Sequence, residues 1–153
     1  MPTSPEHAGR TYPDRPIVGV GAVIVKGDQI VLIKRGKPPR EGEWSLPGGG
    51  VELGETTRHA IEREILEETG LSTDLGDIID TVDFIERDKE GAVSFHYVLI
   101  DYIAFYRSGT LQAGSDAKDA CFMSFGDALA QPLWDETKRI IRAAKDIAEA
   151  VKV

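Results

Sequence analysis

Residues Gly49–Leu71, GGVELGETTRHAIEREILEETGL, contain the densest pattern in the chain. Thr56–Thr69 has neither proline nor glycine, and Gly70 follows as a residue typical of a helix end, so the pattern predicts a helix over Thr56–Thr69. Leu46–Gly50, in front of it, combines a proline with three glycines, which argues against a regular element there. We therefore expect a glycine loop that leads into a helix.

Three glutamates of this helix are spaced i, i+3 and i+4, namely Glu64, Glu67 and Glu68. This spacing places them on one helix face, where three carboxylates repel one another. Such oxygen ligands hold hard divalent cations, and Mg²⁺ also keeps waters and a substrate phosphate. A solvated acidic face is the alternative interpretation. Glu55 and Arg63, at fixed offsets from the glycines, favour the metal site.

The rest of the chain predicts strands and one further helix. Ile17–Val25 and Ile30–Lys34 are apolar and β-branched and flank a short turn, which is typical of a strand–turn–strand. Further strands are predicted at Ile78–Glu86, Val93–Tyr106, Leu111 and Cys121–Phe125. Apolar residues at a spacing of three to four predict a last helix over Asp135–Val151. This order, with few strand–helix–strand alternations, favours an α+β protein in which helices pack on a mixed sheet.

Length and charge limit the classes of protein to consider. The chain has 153 residues, with 18 Lys and Arg against 26 Asp and Glu, so its formal net charge is −8. This length fits one domain, predicted over 17–153, and the prolines of residues 1–16 predict a flexible N-terminal arm. The acidic balance argues against binding to nucleic acid or to an anionic membrane. A small anionic substrate is compatible with it if a metal or a local basic patch offsets the repulsion.

The expected location is the cytoplasm. Cys121 is the single cysteine, so no intrachain disulfide can form and a reducing compartment is the simpler interpretation. The longest apolar stretches are too short to span a membrane. The N-terminus has no apolar segment typical of a secretory signal.

A family resemblance follows from the spacing of nine positions. These are Gly49, Glu55, Arg63, Glu64, Ile65, Glu67, Glu68, Gly70 and Leu71. Together they resemble a complete Nudix box, the signature of hydrolases that act on nucleoside diphosphates linked to another moiety. The lead-in from Gly42 to Gly48 is similar to the usual one. The resemblance implies the Nudix fold, a mixed β-sheet sandwiched between helices (α/β/α).

The resemblance also implies roles for single residues. Glu64, Glu67 and Glu68 match the positions that bind Mg²⁺, and the Gly48 carbonyl matches a further ligand; Mn²⁺ is an alternative ion. Glu55 and Arg63 match positions that orient the ligand carboxylates. The implied reaction is attack of a metal-activated water on a phosphorus of the diphosphate.

The general base and the substrate contacts are less defined. Glu64 is our first choice as base, and Asp116 or Asp119 in a later loop is the alternative. The glycine loop, with Gly49 and Gly50, lets backbone groups approach a phosphate.

Two side chains outside the box are candidate contacts. Arg35 belongs to a basic cluster just before the glycines and is the predicted phosphate contact; a solvated surface charge is the alternative. His96 could bind a ribose or phosphate if it faces the cleft, and a core histidine is its alternative.

The favoured substrate is ADP-ribose or a related nucleoside diphosphate sugar. Arg-Gly-Lys-Pro-Pro ahead of the box and His-Tyr-Val after it resemble small bacterial ADP-ribose pyrophosphatase-like members. A mutator-type nucleoside triphosphate pyrophosphohydrolase is the close alternative. A Nudix module that senses a nucleotide without cleaving it is less favoured, because every box carboxylate is kept. The family resemblance and the arm also suggest a homodimer.

Overall fold

The computed structural model of the protein describes residues 10–151. In chain order the elements are β1 (Ile17–Lys26), β2 (Gln29–Arg35), β3 (Trp44–Ser45), β4 (Gly48–Gly50), α1 (Thr57–Thr69), β5 (Ser72–Arg87), β6 (Val93–Ser108), β7 (Ala117–Ser124), α2 (Phe125–Ala130) and α3 (Asp135–Val151).

The strands form one mixed sheet. Its order is β3-β2-β1-β6-β5, with β4 paired to β1 and β7 paired to β2. β1 and β6 run parallel, and their pairing begins with Ile17 opposite Tyr97. The other described strand pairs are antiparallel. β5 begins at Ser72 rather than at the predicted Ile78, because it continues through an irregularity in its pairing with β6.

The two faces of the sheet are covered by different helices. Alternate residues of a strand point to opposite faces, so Val20, Ala22 and Ile24 of β1 pack with α1, whereas Val23 and Val25 pack on the other face. The buried apolar residues of the helices are Ala60, Ile61 and Ile65 in α1, and Phe125, Ala128, Ile140, Ile141, Ala144 and Ala148 in α2 and α3. The predicted α/β/α sandwich of the α+β class is confirmed.

The predicted central helix is confirmed, with a start one residue later. The Thr56 side chain caps the N-terminus by accepting a hydrogen bond from His59 N at 3.1 Å. Gly70 ends the helix in the left-handed conformation, with φ of 71°, and its N–H donates to Leu66 O. α3 has the predicted bounds.

The prediction that Leu46–Gly50 contains no regular element is wrong for its glycines. Gly48–Gly50 forms the short strand β4, paired with Gly19–Gly21 of β1. A Cβ atom on Gly48 would lie only 2.1 Å from Val20 O, so glycine permits this close pairing. The run of glycines argued against a strand in the sequence, and the absence of their side chains is what allows the strand to pair with β1.

The predicted strand at Leu111 is also wrong, because that residue lies in an irregular connection. The predicted strand Cys121–Phe125 belongs to β7, and Phe125 instead begins the helix α2. The sequence carried a signal for that unpredicted helix. Ser124 accepts a hydrogen bond from Asp127 N at 3.0 Å, which is a serine cap with an acidic residue three positions later.

The predicted arm is described only in part, because residues 1–9 lie outside the described residues. Residues 10–16 form no helix or strand. Tyr12 ties them to the β5–β6 hairpin: its N donates to Ser94 O at 2.8 Å and its hydroxyl to Asp88 Oδ2 at 2.9 Å. Within residues 10–151, no helix combines the length and the apolar character that a membrane span needs.

Candidate active site

A cleft of about 270 Å³ lies beside β1 and extends from β4 and α1 to the start of α3. Gly19 and Gly21 line its floor, where a Cβ atom would lie 2.8 Å from Leu99 and 2.4 Å from Asp101, respectively. Two groups of residues line it at opposite sides. We call them the polar end, formed by Gly48–Gly50, Glu64 and Glu68, and the aromatic recess, formed by Phe84, Tyr97, Trp134 and Asp101.

Arg63 organises the carboxylates beside the polar end. Its Nε and Nη2 donate to the two oxygens of Glu55 at 2.7 and 2.9 Å, a bidentate pair. Its Nη2 also donates to Gly50 O at 3.0 Å. Its Nη1 donates to Glu64 Oε1 at 2.9 Å and to Glu67 Oε2 at 3.3 Å. One guanidinium thus holds three box carboxylates and the backbone of β4.

The backbone of β4 completes the polar end. Its ladder to β1 runs through Val51 N to Val18 O and Ala22 N to Pro47 O. Because alternate residues of an antiparallel strand turn their N–H and C=O groups to opposite sides, Gly48 turns both groups away from β1 and toward α1. The Gly48 N–H donates to Glu68 Oε2 at 3.3 Å, and its carbonyl faces the same way.

The carboxylates of this end have contrasting pKa values. Hydrogen bonding from Arg63 lowers the pKa of Glu55 to about 2. Burial, reinforced by the charge of Glu64, raises the pKa of Glu68 to about 8, although the Gly48 N–H opposes this. Burial also raises the pKa of Glu64, against the effect of Arg63. Of the two inner carboxylates, Glu64 pairs with Arg63, whereas Glu68 forms its described hydrogen bond with the Gly48 N–H.

The donor set fits a hard divalent cation. Glu64 and Glu68 lie against β4, where a Cβ on Gly49 would meet Glu64 and the Gly48 N–H donates to Glu68. Glu67, one turn from Arg63, is exposed and does not line the cleft. The three carboxylates and the Gly48 carbonyl all supply oxygen. Across residues 10–151, however, no three histidine, cysteine or acidic side chains are already gathered closely enough to hold a metal ion. Arg63 contacts Glu64 and Glu67 instead. The structure thus places Glu64, Glu68 and Gly48 in the lining of the cleft and Glu67 outside it, so the metal site stays a prediction.

Of the predicted substrate contacts, Arg35, Gly49 and Gly50 line the cleft. The Arg35 Nε donates to Pro39 O at 2.7 Å, which fixes the direction of the guanidinium. His96 does not line the cleft. Its neighbours Phe95 and Tyr97 do, and the alternation of β6 turns the His96 side chain to the other face. His96 was a candidate contact only if its side chain faced the cleft, and this condition is not met.

The two loop candidates for the general base are separated. Asp116 lines the cleft and forms an ion pair with Lys37 Nζ at 2.9 Å. Asp119 lies in β7, opposite Lys34 of β2, and does not line the cleft. The structure therefore keeps Asp116 as the alternative to Glu64.

Arg10 and Asp101 are among the cleft residues that were missed from the sequence. Arg10 lies so close to β4 that a Cβ on Gly50 would be 2.6 Å from its Nη2, and nothing in the sequence pattern of the arm marks it. Asp101 is 6% exposed at the aromatic recess. It interrupts the apolar stretch Tyr97–Tyr106, and a charged residue inside a buried strand is a signal that could have found it.

A family model described as NUDIX domain matches residues 15–144. The chain therefore belongs to the Nudix family, as the box residues predicted, and its fold agrees with that assignment.

Named relatives are similar to this chain over different shares of their length. The chain is 40% identical over 112 residues to "ADP-ribose pyrophosphatase" of Methanocaldococcus jannaschii, a match that covers 73% of this chain and 64% of that protein. It is 36% identical over 86 residues to "RNA pyrophosphohydrolase" of Roseobacter denitrificans, covering 56% and 52%. The chain thus spans between half and two thirds of these relatives.

Among solved structures, the fold is similar to a MutT NUDIX hydrolase from Burkholderia pseudomallei. The TM-score is 0.73 at 33% identity, over 85% of this chain and 98% of that one.

Proposed function

We propose that this protein is a metal-dependent hydrolase that cleaves the diphosphate linkage of a nucleoside diphosphate derivative, with ADP-ribose or a nucleotide sugar as the first candidate. The Arg63 network, which holds Glu55, Glu64 and Glu67 beside β4 in an open cleft, is the observation that carries the proposal. The similarity to the ADP-ribose pyrophosphatase of Methanocaldococcus jannaschii supports ADP-ribose. A cytoplasmic location and a homodimer are part of the same proposal.

The polar end supplies the residues for this chemistry. Glu64, Glu67, Glu68 and the Gly48 carbonyl would hold Mg²⁺, or Mn²⁺ in its place. When bound, the cation supplies activation of water and neutralisation of charge on the phosphoryl oxygens. Arg63 fixes the direction of the carboxylates, because its planar fork contacts several of them at once.

The chain itself must accept a proton from the attacking water. Glu64 Oε1 accepts a hydrogen bond from Arg63, so we assign Oε2 of the same carboxylate to take the proton. Asp116, at the edge of the cleft, is the alternative base. The guanidinium of Arg35 is assigned to a phosphate of the substrate, with the backbone of Gly49 and Gly50 close to the same group.

The test is hydrolysis of a nucleotide panel with and without Mg²⁺. The panel holds ADP-ribose, nucleotide sugars, dinucleoside polyphosphates, ordinary and oxidised nucleoside triphosphates, and an RNA with a 5′-triphosphate. Glu67→Gln should lose turnover by about 10²-fold or more, as removal of transition-state stabilisation does. Glu62→Gln, an exposed glutamate of the same helix, is the matched control and should keep it.

A mutator-type nucleoside triphosphate pyrophosphohydrolase is the second candidate, supported by the likeness to the Burkholderia MutT protein over nearly its whole length. Turnover of triphosphates in place of ADP-ribose would select it. Metal-dependent binding with no turnover of any panel member would contradict both candidates and leave a nucleotide-sensing module.

A further inference from the structure

Asp101 is a buried acid at the aromatic recess. It lies in β6 opposite Gly21 of β1 and Asp80 of β5, and it is 6% exposed. A Cβ on Gly21 would lie 2.4 Å from Asp101 Oδ1, so the carboxyl fills the space above that glycine on the cleft floor. The carboxyl is thus largely removed from water and yet belongs to the lining of the cleft.

Within residues 10–151, no protein group forms a hydrogen bond or an ion pair with the Asp101 carboxyl. No fully buried side-chain oxygen in this part of the chain lacks a partner, so the carboxyl oxygens are open to the cleft rather than sealed from it. The nearby cation Arg139 is instead held by Asp80 at 2.8 Å and by Glu136 at 2.7 Å. Burial raises the pKa of Asp101 to about 7, with Arg139 opposing the shift and Asp80 adding to it. A carboxyl that is 6% exposed, opens to the cleft and has no partner within residues 10–151 points to a ligand, because polar groups so largely buried are nearly always hydrogen-bonded.

The surroundings of the carboxyl suit a flat ring. Phe84 forms edge-on contacts with Trp134 at 5.2 Å and with Tyr97 at 6.5 Å between ring centroids, and all three line the cleft. Aromatic walls of this kind bind planar bases by stacking and apolar contact. A phosphate, which is charged and needs several hydrogen-bond donors, does not match such walls.

The recess lies at a suitable distance from the polar end. Gly48, Gly21 and Asp101 are consecutive positions across β4, β1 and β6. Two strand spacings separate the first from the last, about 10 Å. A single sugar can join a diphosphate at Gly48 to a base at Asp101.

We propose that Asp101 binds the exocyclic amino group of the substrate's nucleobase, with the base seated in the aromatic recess. The amino N–H is the donor that a carboxyl oxygen accepts, and adenine, guanine and cytosine carry one, whereas hypoxanthine and uracil do not. The assignment rests on the proposed function, because it takes the diphosphate to lie at the polar end. It makes Asp101 a specificity-determining residue.

The test measures binding to the full-length protein by titration calorimetry in EDTA, so that no turnover is needed. The ligands form matched pairs that differ in the amino group: ADP against IDP, GDP against IDP, and CDP against UDP, with pyrophosphate as the ligand without a base. The variants are Asp101→Leu and Asp101→Asn. Asp83→Leu, on the opposite face of the neighbouring strand, is the matched control.

The wild type and Asp83→Leu should favour the amino-bearing member of at least one pair by about tenfold, the size of one hydrogen bond to a buried group. Asp101→Leu should abolish the preference. Asp101→Asn should keep part of it, because its amide oxygen still accepts. Affinity for pyrophosphate should be the same in all proteins.

Three results would overturn the assignment: no preference in the wild type, a preference that survives in Asp101→Leu, or an equal loss for IDP and ADP, which would indicate a ribose contact or a structural role. Failure of the hydrolysis panel is a separate outcome, since this preference is measured without metal.

Discussion

The two sides of the cleft differ in how their acids are partnered. Beside the polar end, Arg63 reaches Glu55, Glu64 and Glu67 at 2.7 to 3.3 Å, so those carboxylates are held in place before any ligand arrives. In the aromatic recess, Asp101 has no such partner among the described residues. The protein thus holds the carboxylates beside the polar end in a fixed arrangement. On our proposal, Asp101 gains a hydrogen-bond partner only when a ligand binds.

On both sides of the cleft, a glycine packs directly against the acidic side chain. A Cβ on Gly49 would lie 2.4 Å from Glu64 Oε1, and a Cβ on Gly21 would lie 2.4 Å from Asp101 Oδ1. Both acids therefore depend on a close approach of backbone. The distance between backbone and carboxylate is therefore tight on both sides of the cleft. At the polar end, in addition, the charge of Arg63 compensates the carboxylates.

Breaking the partnership of the polar end should have the largest effect. Arg63→Lys keeps the charge but not the planar fork, so Glu55 and Glu64 lose their shared orientation. We expect kcat to fall by about 10²-fold, as misplacement of a catalytic group by about 1 Å does. Hydrolysis of the best panel substrate at saturating Mg²⁺ is the measurement. Arg58→Lys, exposed on the same helix, should be unchanged; equal rates in both variants would refute the role of the fork.

Removing the unpartnered acid should stabilise the protein. Asp101→Leu replaces a buried carboxyl that has no partner, and we expect a gain of about 2 kcal/mol in the free energy of unfolding near pH 8. The pKa of Asp101 is raised from 3.8 to about 7, so the folded state retains a proton that the unfolded state has lost. The wild type therefore loses stability as pH rises from about 4 to 7.

Urea unfolding at pH 5 and pH 8 measures this. The advantage of Asp101→Leu should be larger at pH 8. A variant that is less stable than the wild type at both values would mean that the carboxyl is satisfied in the folded protein.

Most of the fold could be predicted from the sequence, because it depends on periodic patterns. The apolar spacing of α3 and the capped start of α1 are local features, and both helices lie where they were expected. The strand Gly48–Gly50 could not be predicted, because it depends on a distant partner that accepts a backbone without side chains.

The site was predictable to the extent that its residues share one helix. Glu64, Glu67 and Glu68 are close in sequence and so close in space. Asp101 and Arg10 reach the cleft through tertiary contacts, and His96 is excluded by its position in the alternation of β6. Which face of a long, half-buried strand meets the cleft cannot be decided from an apolar stretch alone.

Adding a methyl group to each glycine should separate the two sides of the cleft. Gly49→Ala displaces the Glu64 carboxylate, so we expect turnover of every substrate to fall by about tenfold or more. Gly21→Ala displaces Asp101 instead, so the preference for amino-bearing bases should fall while turnover of the remaining substrates is kept. Rates on ADP-ribose and its hypoxanthine analogue, compared in both variants, distinguish the two effects. The same pattern of loss in both would show that the two sides are not independent.

The smallest expected effect concerns the outer carboxylate of the Arg63 network. The hydrogen bonds from Arg63 lower the pKa of Glu55 from 4.5 to about 2, so its contribution to stability is complete above pH 4.5 and is lost as pH falls toward 2. Glu55→Gln lacks this contribution, so its midpoint of thermal unfolding should lie below that of the wild type at pH 6 and approach it by pH 3. Glu62→Gln, with an exposed side chain on the same helix, should show no such convergence. If the difference between Glu55→Gln and the wild type were constant from pH 6 to pH 3, the Arg63 pair would not be what holds the Glu55 charge, and the preorganisation of this side of the cleft would have another source.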